Sequence, residues 1–316
     1  MKIGVLTSGG DAPGMNACLR AVVRTALHSG HEAYGVFNGY KGLVENQIRR
    51  LYRNDVGQIL NRGGTILGSS RLPSFKEEKV RQIAVDNLKA LEIDALVVIG
   101  GDGTYKGAMG LDKMGINVVA IPGTIDNDIA STEYAIGFFT ALDTAIDAID
   151  KLRDTSFSHQ RCTVVEVMGR DCGDLSIYSG IACGAEIVIT KETGFVKEDV
   201  LEKVKEAEQI GKRHLIVVVA ENITNVFDLA QEIDDNSNYN SRATVLGYIQ
   251  RGGNPSSFDR ILASKMGVRA VELLMKGKSG LAVYTDSLEI SDCPIQEALS
   301  AEKPVTDLYG YLEKLN

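Results

Sequence analysis

Asp94-Ala-Leu-Val-Val-Ile-Gly-Gly-Asp-Gly-Thr-Tyr-Lys-Gly107 decides how the remainder of the chain is read. Its apolar run, Ala95 to Ile99, is short and rich in β-branched residues, the pattern of a parallel strand buried on both faces. Gly100, Gly101, Asp102 and Gly103 follow, and a helix is expected to start near Thr104. A strand that ends in glycines and feeds a helix N-terminus offers backbone N–H groups to a phosphate. Glycine, having no Cβ, lets that backbone come close. Asp102 puts a negative charge where an anion would sit, which makes chemical sense if a cation lies between carboxylate and phosphates. The stretch predicts a nucleotide–Mg²⁺ site. Taken alone, these residues also fit a plain structural turn.

A second unit of the same kind lies near the start of the chain. Ile3 to Leu6 is apolar, Thr7-Ser-Gly-Gly-Asp-Ala-Pro-Gly-Met-Asn16 follows, and Met15, Leu19, Val22, Val23 and Ala26 then share one helical face. The turn is neither G-x-G-x-x-G nor a Walker A loop. Gly277-Lys-Ser279 has the end of a Walker A motif, but Glu272 stands where its first glycine belongs. Alternation continues along the chain. Helices are predicted at 77–91, 138–152, 197–210 and 256–275, and strands at 117–121, 163–167, 186–190, 214–220 and 243–249. This order predicts mainly parallel α/β sheets covered on both faces. Ligands in such sheets collect at the carboxyl edge of the strands, so the glycine-rich and charged turns are expected to line a cleft between two α/β domains.

Composition narrows the classes of function. The chain has 316 residues, enough for two domains, with 44% hydrophobic and 24% charged residues and only six prolines. A net charge of -8 gives no general field for nucleic acid or an anionic membrane, so neither is expected as a partner. The five cysteines, Cys18, Cys162, Cys172, Cys183 and Cys293, show no C-x-x-C spacing. They read as reduced, buried thiols rather than a zinc site or a disulfide framework. Residues 3–6 already read as a strand, so no signal peptide is expected, and no apolar run reaches membrane length; a cytoplasmic location is expected.

The remaining chemistry lies after the strands. Thr124-Ile-Asp-Asn-Asp128 sets two carboxylates two residues apart, which in an extended run share one side. One could accept a proton from an attacking hydroxyl while the other stands near a metal, although an Asx-rich turn has the same composition. Arg161, Arg170, Arg242 and Arg251 each fall next to a predicted strand end. Several guanidinium forks at one edge suit a phosphorylated substrate. Glu221, ending the 214–220 strand, could hold sugar hydroxyls or simply be solvated. Phosphate-binding turns, a metal carboxylate and a candidate base together describe phosphoryl transfer.

Taken together, Thr7–Asn16, Gly100–Gly103, Pro122-Gly-Thr-Ile-Asp-Asn-Asp128, Met168-Gly-Arg170 and Gln250-Arg-Gly-Gly253 closely resemble the bacterial 6-phosphofructokinases. The motifs occur in order from residue 1 to about residue 285, and the tail after Val283 matches loosely. The resemblance implies two Rossmann-like α/β domains with mainly parallel sheets and the active site in the cleft between them. Residues 1–137 with 252–301 would bind ATP, and 138–251 with 302–316 fructose 6-phosphate. It implies a glycolytic kinase that moves the γ-phosphoryl of ATP to the sugar 1-hydroxyl and is allosterically regulated. Asp126 matches the general base and Asp102 the Mg²⁺ carboxylate. Gly10, Arg71, Arg170 and Thr124 match groups around the transferring phosphoryl. Tyr40, Arg71, Leu72, Lys76, Gly101, Gly103, Thr104 and Gly107 fall in ATP positions. Asp128, Met168, Gly169, Glu221, Tyr248 and Arg251 fall in sugar-phosphate positions. Arg161 and Arg242 match residues that reach in from a neighbouring subunit, so a homotetramer is implied. An effector site for ADP or phosphoenolpyruvate maps onto Arg20, Arg24, Arg53, Arg153, Glu186, Gly211, Lys212 and Arg213.

The departures from the family pattern also predict behaviour. Tyr248 replaces the usual histidine, Lys76 an arginine, Ile210 a basic effector residue and Gln58 an acidic one. Tyr248 can donate one hydrogen bond but cannot become a cation, which predicts weaker sugar-phosphate binding with a flatter pH dependence. Pyrophosphate-using relatives resemble one another in carrying a bulkier acidic residue at 103 and a lysine at 123; both are glycine here, which favours ATP. NAD and lipid kinases share Gly-Gly-Asp-Gly-Thr, but they call for neither Thr124–Asp128 nor Gln250–Gly253. A non-catalytic sugar-phosphate or nucleotide sensor with a decayed site would tolerate Tyr248 but would not need Asp102, Asp126 and Arg170 together.

Overall fold

The computed structural model describes residues 1–315. In chain order the elements are β1 (Lys2–Thr7), α1 (Met15–His28), β2 (Glu32–Val36), α2 (Gly39–Val44), β3 (Ile48–Leu51), α3 (Glu78–Ala90), β4 (Ala95–Gly100), α4 (Asp102–Asp112) and β5 (Asn117–Pro122). There follow α5 (Phe138–His159), β6 (Cys162–Val167), α6 (Asp174–Cys183), β7 (Ile187–Ile189), α7 (Lys197–Gln209), β8 (Leu215–Ala220), α8 (Val226–Asn236) and β9 (Arg242–Val245). The chain ends in α9 (Ser257–Met275), β10 (Leu281–Asp286), β11 (Glu289–Pro294), α10 (Ile295–Ser300) and α11 (Leu308–Leu315). Two compact units result. Among the described residues, the first contains 1–125, 129–140 and 251–303; the second contains 126–128, 141–250 and 304–315.

The first unit is built on a seven-stranded sheet in the order β11-β10-β5-β4-β1-β2-β3. Its centre is parallel, and both edges turn antiparallel, β3 against β2 and β11 against β10. β4 is buried along its whole length, as expected of a strand with helices on both faces. Leu96, Val98, Tyr105, Ala108 and Leu111 pack into one core cluster with Leu88 of α3 and Ala298 of α10. Register aligns Thr7 with Ile99, and Gly100 with Pro122. The turns after β1, β4 and β5 therefore emerge side by side at one carboxyl edge. Strand order reverses between β1 and β4, the switch point where such sheets take their ligands.

The second unit holds a wholly parallel sheet, β7-β8-β6-β9. Val164, Val217 and Val219 pack with Val200 and Val204 of α7 and Leu229 and Ile233 of α8. Val167 pairs with Ala220, so the turns beginning at Met168 and Glu221 leave together.

Several predicted elements differ in extent. The helix expected near Thr104 starts at Asp102, because Gly101 is extended and its carbonyl accepts the amides of both Thr104 and Tyr105. The helix expected to end at 152 continues to His159. The strand expected over 243–249 stops at Val245, where Gly247 turns to a φ of 54° and a short 3-10 turn carries Tyr248. No helix among the described residues is long and apolar enough to cross a membrane.

Candidate active site

Three turns at the carboxyl edge of the first sheet form one set of residues. Ser8 donates its amide to the Ile99 carbonyl, Gly123 donates to Gly100, and the Thr104 hydroxyl donates to the Ser8 carbonyl at 3.3 Å. These bonds stitch the turn after β1 to those after β4 and β5. Within Gly100–Gly103 the glycines have different reasons to be there. A Cβ on Gly100 would stand 2.3 Å from the Ser8 carbonyl oxygen, so packing forbids one. A Cβ on Gly101 or Gly103 would meet nothing within 4 Å, so packing within the fold does not require glycine at these two positions. Asp102, exposed in the first turn of α4, stands beside them. Amides of a first helical turn have no intrahelical partner and suit an anion.

The other nucleotide candidates surround this edge unequally. Arg251 belongs to the first unit and lies against Gly10: a Cβ there would be 3.7 Å from the guanidinium carbon. Arg71 and Lys76 are exposed, and Leu72 packs against the core. Tyr40 is 5% exposed, stacks on Phe75 at 4.1 Å and donates its hydroxyl to the Thr104 carbonyl at 2.6 Å. It supports α4 from behind, and Gly107 is glycine because a Cβ would stand 2.5 Å from that ring. Asn16 and Thr7 support the loop that leads to Arg71. The Asn16 amide donates to the Arg62 and Gly64 carbonyls and accepts from the Ile66 amide, while the Thr7 hydroxyl donates to the Gly68 carbonyl. Thr124 takes its place by donating its amide to Ile136.

In the second unit the site is made of charged side chains. Asp126, 3% exposed, lies 3.6 Å from Arg170 Nη2, and Asp128 lies 3.2 Å from Nη1. The two carboxylates do converge, but an extended backbone is not the cause. Asn127 between them has φ 52°, and this left-handed residue turns the chain around Arg170. Arg170 is itself left-handed, with φ 54°. Glu221 holds that turn by accepting the Arg170 amide at 2.7 Å and the Gly169 amide at 3.2 Å, both on Oε1. Burial, and after it the Glu221 charge, raises the neighbouring Glu166 carboxyl above its usual range. Met168 and Gly169 are buried at the base of the turn, and Tyr248 is 78% exposed.

Arg161 and Arg242 do not join this cluster. Arg161 precedes β6 and Arg242 opens β9, with Thr163 paired to Arg242. Both stand at the amino edge of the sheet, the length of a six-residue strand, about 20 Å, from Arg170. The expectation that every charged turn follows a strand is corrected here: these two precede theirs.

The effector candidates form two groups. In the first unit, burial and then the charges of Arg24 and Arg53 lower the Arg20 guanidinium below its usual range. Three arginines so close repel one another and are suited to an anion. In the second unit Glu186 pairs with Lys212 at 3.2 Å and accepts the Ile216 amide. Arg153 donates to the Cys183 and Gly184 carbonyls, and Arg213 donates to the Phe157 carbonyl and lies over its ring. Gly211 takes φ 76° in the turn before them. A cavity of about 880 Å³ opens beside Glu186, Lys212 and the 80%-exposed Ile210. The sequence reading missed Asn127, Asp174 and Asn16; an asparagine between two acids, and an acid opening a helix, were the available signals.

Comparison with known proteins gives a consistent picture. The family model described as phosphofructokinase matches residues 2–274. The chain is 56% identical over 316 residues to a protein of Photobacterium profundum named ATP-dependent 6-phosphofructokinase, with 99% of each covered. A protein of the same name from Vibrio campbellii is 54% identical over the same span, again covering 99% of each. Among solved structures, phosphofructokinase from Saccharomyces cerevisiae superposes with a TM-score of 0.88 at 33% identity, over 94% of this chain and 45% of the yeast one.

Proposed function

The chain belongs to the phosphofructokinase family, and from that membership we propose that it transfers the γ-phosphoryl of ATP to the 1-hydroxyl of fructose 6-phosphate. The products are fructose 1,6-bisphosphate and ADP. Full-length likeness to ATP-dependent 6-phosphofructokinases supports the reaction. The observation that carries the chemistry is the pairing of Asp126 and Asp128 on Arg170.

Asp126 is the proton acceptor for the attacking hydroxyl. Arg170, with Arg71, Gly10 and Thr124, meets the charge that spreads over the transferring phosphoryl. The domain of 1–137 with 252–301 takes ATP through Gly101, Gly103, Thr104, Leu72, Lys76 and the supports at Tyr40 and Gly107. The domain of 138–251 with 302–316 takes the sugar phosphate through Met168, Gly169, Glu221, Tyr248 and Arg251, with Asp128, from the 1–137 segment, as a further ligand. Glu221 uses Oε1 on the backbone, and its second oxygen serves a sugar hydroxyl.

Asp102 is the Mg²⁺ ligand. No group of three or more His, Cys, Asp or Glu side chains that could hold a metal is found among the described residues. That fits Mg²⁺, which is bound by one or two carboxylates together with substrate phosphates and water rather than by a protein cage. When bound, the ion would neutralise charge on the β- and γ-phosphates. The space in front of Gly103 leaves room for a nucleoside triphosphate, which favours ATP over pyrophosphate as donor.

Arg161 and Arg242 serve a neighbouring copy of the chain, since about 20 Å of strand separates them from Arg170. A homotetramer follows in this reading, with ADP or phosphoenolpyruvate bound through Arg20, Arg24, Arg53, Arg153, Glu186, Gly211, Lys212 and Arg213. The protein works in the cytoplasm.

A coupled assay of fructose 6-phosphate with ATP and Mg²⁺ tests the reaction, with pyrophosphate as the alternative donor; absence of turnover with ATP overturns it. Mixing Asp126→Ser chains with Arg242→Ala chains tests the shared site. Each is expected to be inactive alone, and co-assembly should restore activity; no recovery in the mixture counts against donation between subunits.

A further inference from the structure

Asn127 sits between two carboxylates that meet the same guanidinium, in a conformation most residues avoid. Its φ is 52°, and asparagine is among the few residues that visit this region at low cost. Its surroundings fix it there. Its side-chain amide donates to Asp174 Oδ2 at 2.8 Å, and its carbonyl accepts from the Cys172 thiol at 3.8 Å. Asn127 is 1% and Asp174 8% exposed, so the bond between them is dry. The segment that makes both contacts is itself held: the Gly173 amide donates to Glu192 Oε1 at 3.0 Å, and the Tyr309 hydroxyl donates to Glu192 Oε2 at 3.1 Å. A Cβ on Gly173 would stand within 2.7 Å of Glu192, Tyr309 and Thr190 alike, so the segment is closely packed. Asp174 is acidic in the first turn of α6, where the helix dipole favours a negative charge.

We propose that Asp174 is a positioning residue for phosphoryl transfer: through Asn127 it fixes the left-handed turn that brings Asp126 and Asp128 onto Arg170. The proposal rests on the reading of Asp126 as proton acceptor. Were Asn127 to relax to an extended backbone, the peptides on either side of it would rotate and carry both carboxylates off the guanidinium. Asp174 touches no reacting atom in this account, and its effect is on the geometry of the residue that does.

Kinetics of the full-length enzyme test it. Asn127→Gly keeps the left-handed freedom and loses the tether; Asp174→Ala loses the acceptor. Both are expected to lower kcat by roughly 10- to 100-fold, since a misplacement of about 1 Å can cost about 100-fold. KM for ATP should stay within about threefold, because the tether touches none of the nucleotide positions, while KM for fructose 6-phosphate rises only as far as Asp128 is displaced. Asp174→Asn should stay within about threefold of the parent, since an amide oxygen accepts the same bond. Asn127→Asp alone faces carboxylate with carboxylate and should be strongly impaired. Adding Asp174→Asn to it restores a donor–acceptor pair in reverse and should recover about tenfold or more of kcat.

Two outcomes overturn the proposal: kcat within about twofold of the parent for both Asn127→Gly and Asp174→Ala, or no recovery in the swapped pair. Losses that merely follow a fall in Tm and are not regained in the swap count as the second outcome. Asp126→Ser separates the premise. If that variant stays active, the base reading fails; if it is inactive while the tether variants are unimpaired, the tether alone fails.

Discussion

The two units build their candidate sites from different materials. In the first, Gly101 and Gly103 present bare backbone, and the residues that shape them stand behind: Tyr40 on the Thr104 carbonyl, Asn16 on the Arg62–Ile66 loop, Thr104 on Ser8. In the second, Asp126, Asp128, Arg170 and Glu221 present charge, and the backbone is bent to aim them, with non-glycine residues at φ 52° and 54°. A phosphate chain can be held by amides and a cation, which any sequence supplies if side chains are removed. A hydroxyl that must lose a proton needs a particular carboxylate in a particular place. In the proposed function the donor side would therefore be specified by what is absent, and the acceptor side by what is present.

The sharpest test of that contrast is Asp126→Ser. Loss of a general base is expected to lower kcat by about 10²- to 10⁴-fold with KM for both substrates little changed. Steady-state kinetics read it directly, and a kcat within tenfold of the parent would break the acceptor half of the comparison. The donor half is tested by two glycines that differ by three positions. Gly103→Asp enters open space, so Tm should hold while kcat/KM for ATP falls by about 10- to 100-fold, the cost of a like charge beside phosphates. Gly100→Ala drives a Cβ to 2.3 Å from Ser8 O, and overpacking should cost about 1–3 kcal/mol of stability. Thermal melts and ATP kinetics on both variants would reverse the assignment if Gly103→Asp melted early and Gly100→Ala did not.

This difference in material explains what could be read in advance. Glycines, strand runs and the helix of 257–275 announce themselves, because sterics and periodicity act locally. The gathering of the glycine-rich turns at one edge followed from strand alternation, as the pairing of Gly100 with Pro122 shows. What was not legible depends on distant partners. Thr124–Asp128 suggests convergent acids, but the left-handed Asn127 and its bond to Asp174, 47 residues away, are tertiary facts. Arg161 and Arg170 look equivalent as arginines near a strand, yet one precedes β6 and the other follows it. The strands β10 and β11 escaped notice because an antiparallel edge pair with polar residues has no long apolar run.

A side-chain site should answer to pH where a backbone site does not, and two smaller effects sharpen that expectation. Tyr248 stands exposed on the 3-10 turn after β9, and a phenol cannot become a cation. Tyr248→His introduces a group that titrates near about 6.5. KM for fructose 6-phosphate should fall severalfold below that pH and return towards the parent value above it. A KM unchanged at about pH 6 would remove position 248 from the sugar-phosphate site.

The smallest effect concerns stability rather than rate. Burial lowers the His214 imidazole below its usual range; Glu186 opposes the shift, while Arg153 and Lys212 add to it. Arg153 Nη1 lies 3.4 Å from His214 Nε2, and the Phe157 ring packs edge-on against it. With the folded pKa below the unfolded one, the unfolded chain binds more protons between the two values. Stability then rises with pH through that window, is complete above about 6.5 and declines as pH falls below it. His214→Gln removes the titration, so its Tm should decline less than the parent's between about pH 6.5 and 5.5, by about a degree or two. Equal slopes in the two proteins would mean that the charges around Glu186 and Lys212 rearrange on acidification and shield the imidazole. The second unit would then be as indifferent to pH as a site made of amides, and the distinction between the two materials would hold for catalysis alone.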